Sequence, residues 1–423
     1  MIALNDLPTK RQTRKDLYIN DFRNTDYCRA VNMCIDGSGK VFPLPTATEY
    51  DKKTTFNLST AVKQGFFCKI GNENCCFIKK ADNTVAVARV VWPVFSNVSS
   101  TIFSGRIQFA KMANDSGQEW AVISDGINSC CSNGYSSTSG VCPTFTAISV
   151  KGNMVFYTTK QAPKSLCVMP TNDFLAGDLQ RIQTIDFPYE INDIYLKNDT
   201  VYVFCSNDIY SIAVDSDFSK SVIECMGFNA KSLKGSLKSI GSVAVFCTEN
   251  RCLKFDGKSL KTLFTFTKNT VKDIGCVAVN EYYLLPFTDG YVACYNTLTD
   301  SVFYTYGVND VPIESQEYSL YLYASSTKVY YVGSGLYGGE DRRFEYYYRG
   351  ERGILKRVVC DCEDMAIQVT TPSGFLVVGN GVDGADFFTR LQGRAFNITV
   401  IPLTEKAKLS SLRVIMQRGE DYV

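Results

Sequence analysis

The chain has 423 residues, 45% of them hydrophobic, and a net charge of +1, which is ample material for a packed core. It contains no histidine, and this removes Ser-His-Asp and Cys-His nucleophiles, HExxH zinc proteases and His-ligated metal sites. Near-neutral charge argues against a broad nucleic-acid-gripping face, and no apolar run reaches the ~18 residues of a transmembrane span.

Residues 1–60 carry a basic run (Lys10, Arg11, Arg14, Lys15) and few long apolar stretches. They read as an extended N-terminal arm that packs on something else. The opening MIALNDLPTKRQTRK lacks the apolar centre of a signal peptide, so classical secretion is not expected.

Residues 61–344 repeat a short β pattern. The early copies are NCCFIKKADNTVAVARVVW (74–92), EWAVISDGINSC (119–130) and TAISVKGNMVFYTTKQAPKSLCVM (146–169). The clearest echo pairs INDIYLKNDTVYVFCSNDIYSIAVD (191–215) with LKSIGSVAVFCTENRCLKFDG (237–257), and residues 271–307 and 318–339 follow the same scheme. Polar turns at Ser206-Asn207-Asp208, Thr248-Glu249-Asn250 and Thr288-Asp289-Gly290 separate alternating strands, the hairpin signature. A recurrence of roughly 40 residues predicts an all-β fold, a β-propeller of six or seven blades. Residues 345–423 change pattern: RGILKRVVCDCEDMAIQVTT, GFLVVGNG, FNITVIPL and LSSLRVIMQRG predict a C-terminal β-sandwich-like domain.

The 17 cysteines are diluted along the chain, and Cys205, Cys247, Cys276 and Cys294 lie in apolar strand patterns that suit buried thiols. The vicinal pairs Cys75–Cys76 and Cys130–Cys131, with Cys142 nearby, are the best candidates for a disulfide or metal role. N-x-S/T sequons begin at Asn57, Asn97, Asn114, Asn198 and Asn397. No GxxxxGK[ST] loop is present. The formal GxGxxG at Gly379, Gly381 and Gly384 reads as a hairpin turn rather than a dinucleotide loop, because a strand-rich stretch follows it. Cys360 and Cys362 lack a second pair at zinc-ribbon spacing and are expected to pack in the core. Asp125, Asp208, Asp289, Glu340 and Asp341 all sit in turn contexts, where Asp bonds its own backbone. The chain is therefore expected not to be an enzyme and to hold no cofactor and no metal.

The most distinctive surface-like stretch is GGEDRRFEYYYRGER (338–352), which sets Arg342, Arg343, Arg349 and Arg352 among Tyr346, Tyr347 and Tyr348. Tyr and Arg are enriched at interface hot spots, and arginines among aromatics also grip single strands. These residues, with Lys10, Arg11, Arg14 and Lys15, are the candidate interface residues.

In its order of pieces the chain resembles the tail hub or nozzle proteins of short-tailed bacteriophages, the packaged-DNA stabilisation type of P22-like phages. RAVNMCIDGSGKVFPLPTATEY has the cadence of their N-terminus. EWAVISDGIN and ISVKGNMVFYTT look like their early propeller strands, and EINDIYLKNDTVYVFCSNDIYSI and SLKSIGSVAVFCTENRCLKFDGKSL like their mid-chain blades. YYLLPFTDGYVACYNTLTDSVFYTYG follows, and LKRVVCDCEDMAIQV through LRVIMQRG is similar to their C-terminal sandwich. The resemblance implies a virion structural protein, assembled in the bacterial cytoplasm into a homo-oligomeric ring, a hexamer by analogy. Such a ring extends the DNA channel below portal and adaptor (head-completion) proteins, contacts tail plug, needle or fibre proteins, and lets DNA slide through without sequence-specific binding. The sequons and cysteines keep open a secreted or surface glycan-binding propeller, a lectin or receptor-binding protein, and the fold also admits a carboxylate glycosidase.

Overall fold

The structure is a computed structural model that describes residues 14–19, 28–46, 53–57, 60–89, 92–98, 101–213, 222–266, 275–308, 310–315, 321–324, 328–332, 336, 338–372 and 376–418. Strands account for most of the described residues, against one short helix among them, Thr171–Ala176, so the protein is nearly all-β as its alternating patterns predict. It divides into two compact units: residues 51–288 with 309–335, and residues 1–50 with 289–308 and 336–423. This division differs from sequence boundaries at 60/61 and 344/345. Residues 289–308, inside the repeat by pattern, group with the chain ends.

The first unit is a succession of antiparallel meanders, each strand pairing with the next. The opening meander comprises Val62–Ile70, Glu73–Lys80, Val85–Arg89 and Trp92–Asn97. Four four-stranded sheets follow, spanning residues 108–139, 147–186, 191–225 and 238–265. The hairpin Val277–Val279 with Tyr282–Pro286 comes next. Finally Tyr321–Ala324 pairs with Lys328–Val332, to which Lys53–Asn57 adds from the beginning of the chain. Ser315 pairs in parallel with Val279 on one side, and Glu314–Ser315 with Phe66–Phe67 on the other. The succession of sheets thereby returns to its start, a β-propeller-like arrangement.

The core consists of separate layers between consecutive sheets. Phe66, Cys75 and Phe77 meet Ile123 and Cys130, whereas Val122 and Cys131 meet Val155 and Tyr157 of the following sheet. Val201, Val203 and Cys205 pack toward Phe156 and Val168, while Tyr202 and Phe204 pack toward Phe246 and Phe255. The inner strands are buried on both faces, so their side chains of period two enter two different cores, while outer strands such as Gln183–Asp186 and Val222–Cys225 are largely exposed. This accounts for both vicinal cysteine pairs. Cys75 and Cys130 face one layer, Cys76 enters the layer with Ile313 and Val329, and Cys131 enters the layer with Phe145 and Phe174. The expected turns are present: Asp208 accepts from Ile209 N at 2.8 Å, and Asp289 from Tyr291 N at 3.2 Å.

The second unit is dominated by three strands, Arg343–Thr370, Leu376–Pro402 and Lys408–Arg418. The first two run through two groups of paired strands in one large mixed sheet. In one group, 343–349 lies between Cys28–Val31 and 395–400, and 365–370 pairs with both 397–402 and 376–381. In the other, 353–360 lies between 385–393 and Lys408–Arg418, which carries Arg14–Ile19 on its far edge.

One expectation is corrected here. The Gly379–Gly384 segment is not a hairpin turn. Gly379 and Gly381 pair within the strand opposite Ile367 and Met365, and Gly384 (φ 95°) marks an irregularity in that strand's pairing. In the described part of residues 1–60, Arg14–Ile19, Cys28–Val31 and Lys53–Asn57 are each paired onto strands of this same chain.

Candidate interface site

The 338–352 stretch opens the first long strand, and its local pairing places its side chains. Arg29 stands opposite Glu345 and Ala30 opposite Phe344. Tyr291 and Tyr306 are cross-strand partners with stacked rings 4.5 Å apart. The Arg29 guanidinium lies 3.9 Å from the Tyr291 ring and 4.7 Å from that of Tyr304, within cation–π range. Arg343 closes the cluster. Its Nε donates to Glu345 Oε1 at 2.9 Å, its Nη2 donates to Tyr291 Oη at 3.0 Å, and its Nη1 pairs with Asp341. Burial works against the Arg343 charge, but the hydrogen bonds to Asp341 and Glu345 outweigh it and raise the pKa further. Tyr347 Oη donates to Glu345 Oε2 at 2.6 Å, and burial together with that bond holds the phenol well above its ordinary value.

Asn32 clips three segments together. It is fully buried in the left-handed region (φ 50°), and its side-chain amide donates to Tyr306 O (3.1 Å) and Asp341 O (2.9 Å) while its Oδ1 accepts from Tyr306 N (2.8 Å). Gly338 and Gly339 are required for that approach, because a Cβ on Gly339 would lie 2.2 Å from Tyr306 O.

The structure thus brings Arg343 and Tyr347 together with residues that the local stretch could not reveal: Arg29, Asn32, Tyr291, Tyr304 and Tyr306. Tyr347 is 44% exposed and Tyr306 38%. Tyr346, expected at the surface, is only 3% exposed, and this is a correction; strand alternation turns it inward with Phe344. Arg342 is partly buried, and its backbone N donates to Glu340 O at 2.9 Å. Tyr348 and Arg349 pair by backbone with Phe396 and Ala395, and Arg352 continues the same strand. Arg14 and Lys15 pair with Gln417 and Met416; Lys10 and Arg11 lie outside the described residues. Asp341 and Glu345 both pair with Arg343, while Arg29 lies over the Tyr291 and Tyr304 rings, so the cluster sets aromatic faces beside a paired arginine.

A second polar constellation lies inside the propeller-like unit. Buried Asp193 accepts from Gly235 N at 3.0 Å and Leu237 N at 3.4 Å. Arg106 Nη2 donates to Cys276 O at 2.9 Å, and Lys238 Nζ pairs with Glu314 at 2.7 Å. These groups come from five separate segments, and no local motif announces them. Among the described residues no group of three or more Cys, Asp or Glu side chains is placed to hold a metal ion.

No family model matches the chain, and no curated protein does. Solved structures similar to it include BBS1N in complex with ARL6DN, at TM-score 0.46 and 10% identity, covering 68% of this chain and 97% of that one. The AfRom2 CNH domain matches at TM-score 0.42 and 11% identity, over 68% of this chain and all of that one. PorZ of Porphyromonas gingivalis, a bacterial surface component of the type-IX secretion system, matches at TM-score 0.42 and 10% identity, covering 80% of this chain and 46% of PorZ.

Proposed function

We propose that the protein is a structural subunit of a short-tailed bacteriophage tail, of the nozzle or hub kind. It has a seven-bladed propeller, a C-terminal sandwich-like region and no catalytic role. The blade count rests on the seven successive sheets and hairpins, the last of them completed by Lys53–Asn57. Copies associate into a ring, a hexamer by the resemblance, that extends a DNA channel below portal and adaptor proteins and carries plug, needle or fibre proteins beyond it. The observation that carries this reading is the Arg29–Tyr291–Tyr306–Arg343–Tyr347 cluster. It is tied together by the Arg343–Tyr291 hydrogen bond and the Tyr291–Tyr306 stack, and exposes Tyr306 and Tyr347 as subunit contacts would use them.

Electron microscopy of the purified protein and of the native particle tests it. Closed rings, or density beneath a portal, are expected, and replacing Tyr306 and Tyr347 together by Ala lowers ring occupancy in protein that remains folded by circular dichroism. A monomer at high concentration with no place in any particle overturns the reading.

A further inference from the structure

Cys131 and Cys142 come together in the second meander of the propeller-like unit. Cys131 lies on Ser129–Ser132, directly opposite Thr138 of the edge strand Ser137–Ser139, and its Sγ is 2.7 Å from Thr138 Oγ1. Cys142 lies in the link that leaves that edge strand. Ser129 Oγ donates to Cys142 O at 2.6 Å, and Gly140 N donates to Ser129 O at 2.9 Å, so the link is pinned back over the strand that carries Cys131. Both sulfurs enter the same apolar layer with Phe145 and Phe174. Each residue is only 3% exposed, yet Thr138 and Val141 above them are exposed, so the thiols sit one residue beneath the surface.

We infer that Cys131 and Cys142 are a nucleophilic and resolving thiol pair that a small hydroperoxide converts to an intramolecular disulfide. The Cys142 thiol donates a hydrogen bond to Cys131, and with the Thr138 hydroxyl this outweighs burial and holds the Cys131 pKa below that of an ordinary thiol. The thiolate attacks one oxygen of hydrogen peroxide: an S–O bond forms, the O–O bond breaks, and the departing hydroxide takes a proton to leave as water. Cys142, deprotonated in turn, attacks the sulfenic sulfur. The S–S bond forms, the S–O bond breaks, and a second water leaves, so two thiols are oxidised as one peroxide is reduced. The product ties the edge strand's exit to the strand beneath it, closing a short loop of the chain.

The full-length reduced protein with Cys130→Ala, which removes the vicinal ambiguity, is exposed to stoichiometric hydrogen peroxide, alkylated under denaturing conditions and digested. The peptide spanning residues 112–151 is expected to be lighter by two hydrogens and to resist alkylation at both positions, while buried Cys76 and Cys252 alkylate as thiols. In Cys142→Ser, or Cys142→Ala should the first fold poorly, Cys131 stops at a sulfenic acid that dimedone traps. Thr138→Val slows oxidation about tenfold. If Cys131 and Cys142 stay separately alkylatable under peroxide that oxidises the exposed Cys225, or if the rate rises only above pH 8 as for an ordinary thiol, the assignment is wrong.

Discussion

Asp193 shows how one side chain can set a pH dependence for the fold. Its carboxyl is buried, and burial pushes its pKa up to about 7, against the opposing pull of Arg106, Lys238 and the backbone N–H groups of Leu237 and Gly235. A raised folded-state value means the native protein binds a proton that the unfolded chain has already released. The contribution is full below the ordinary carboxylate pKa near 4 and is lost as pH rises through about 7. Asp193→Asn keeps an acceptor for Gly235 N. The variant is expected to lose this dependence, gaining up to about 4 kcal/mol relative to wild type between pH 4 and pH 8 in urea titrations. Parallel stability curves for the two proteins would show that Asp193 does not titrate in that window. Close by, Gly275 has φ 78°, and a Cβ there would fall 1.9 Å from Arg106 Nη1, whose sister Nη2 is tied to Cys276 O. Gly275→Ala therefore strains backbone and guanidinium together, and a loss of about 2 kcal/mol or more is expected in the same titration.

At the scale of strands and sheets, much of the architecture was legible because period-two patterns survive even where both faces are buried. VYVFC and VAVFC became Thr200–Cys205 and Val243–Cys247, and the polar turns between them fell where expected. What stayed hidden depends on partners far away in sequence. Lys53–Asn57, KTTFN, carries no strong strand signal, and its place is decided by the last sheet, whose edge it completes. The Asn32 clip joins residues 274 positions apart, so no window of sequence contains both ends. The long C-terminal strands were legible as strands but not as single strands running through two groups of partners, since the irregularity at Gly384 looks locally like a turn. Layered cores also make a sharp prediction. Phe255 is fully buried and meets Tyr202 at 5.0 Å and Phe204 at 5.7 Å edge-on, all in the layer between two neighbouring sheets. Phe255→Ala should lower unfolding free energy by about 3–5 kcal/mol. A cost below about 1 kcal/mol would mean that the layer collapses around the missing ring and the sheets are not held apart by it.

For the whole molecule, the argument turns on charge. A net charge of +1 spread over 423 residues leaves little to attract a polyanion. Within the arginine-rich stretch that most resembles a nucleic-acid grip, Arg343 is matched by Asp341 and Glu345, and neighbouring Arg29 lies over the faces of Tyr291 and Tyr304. A subunit lining a path along which DNA slides must not hold phosphates, because each neutralised phosphate adds to affinity through counterion release and so to the force opposing movement. The protein is therefore expected to bind duplex DNA no tighter than roughly 10⁻⁴ M at physiological salt, the weak end of non-specific binding. The proposed self-association should change little between low and high salt, because contacts through tyrosine faces are not screened as exposed charges are. Fluorescence anisotropy with a labelled duplex across a salt series, run beside sedimentation of the protein alone, measures both. Micromolar DNA binding with a steep salt slope would point to a basic face among residues such as Lys10 and Arg11, and would replace the picture of a passive channel with that of a DNA clamp.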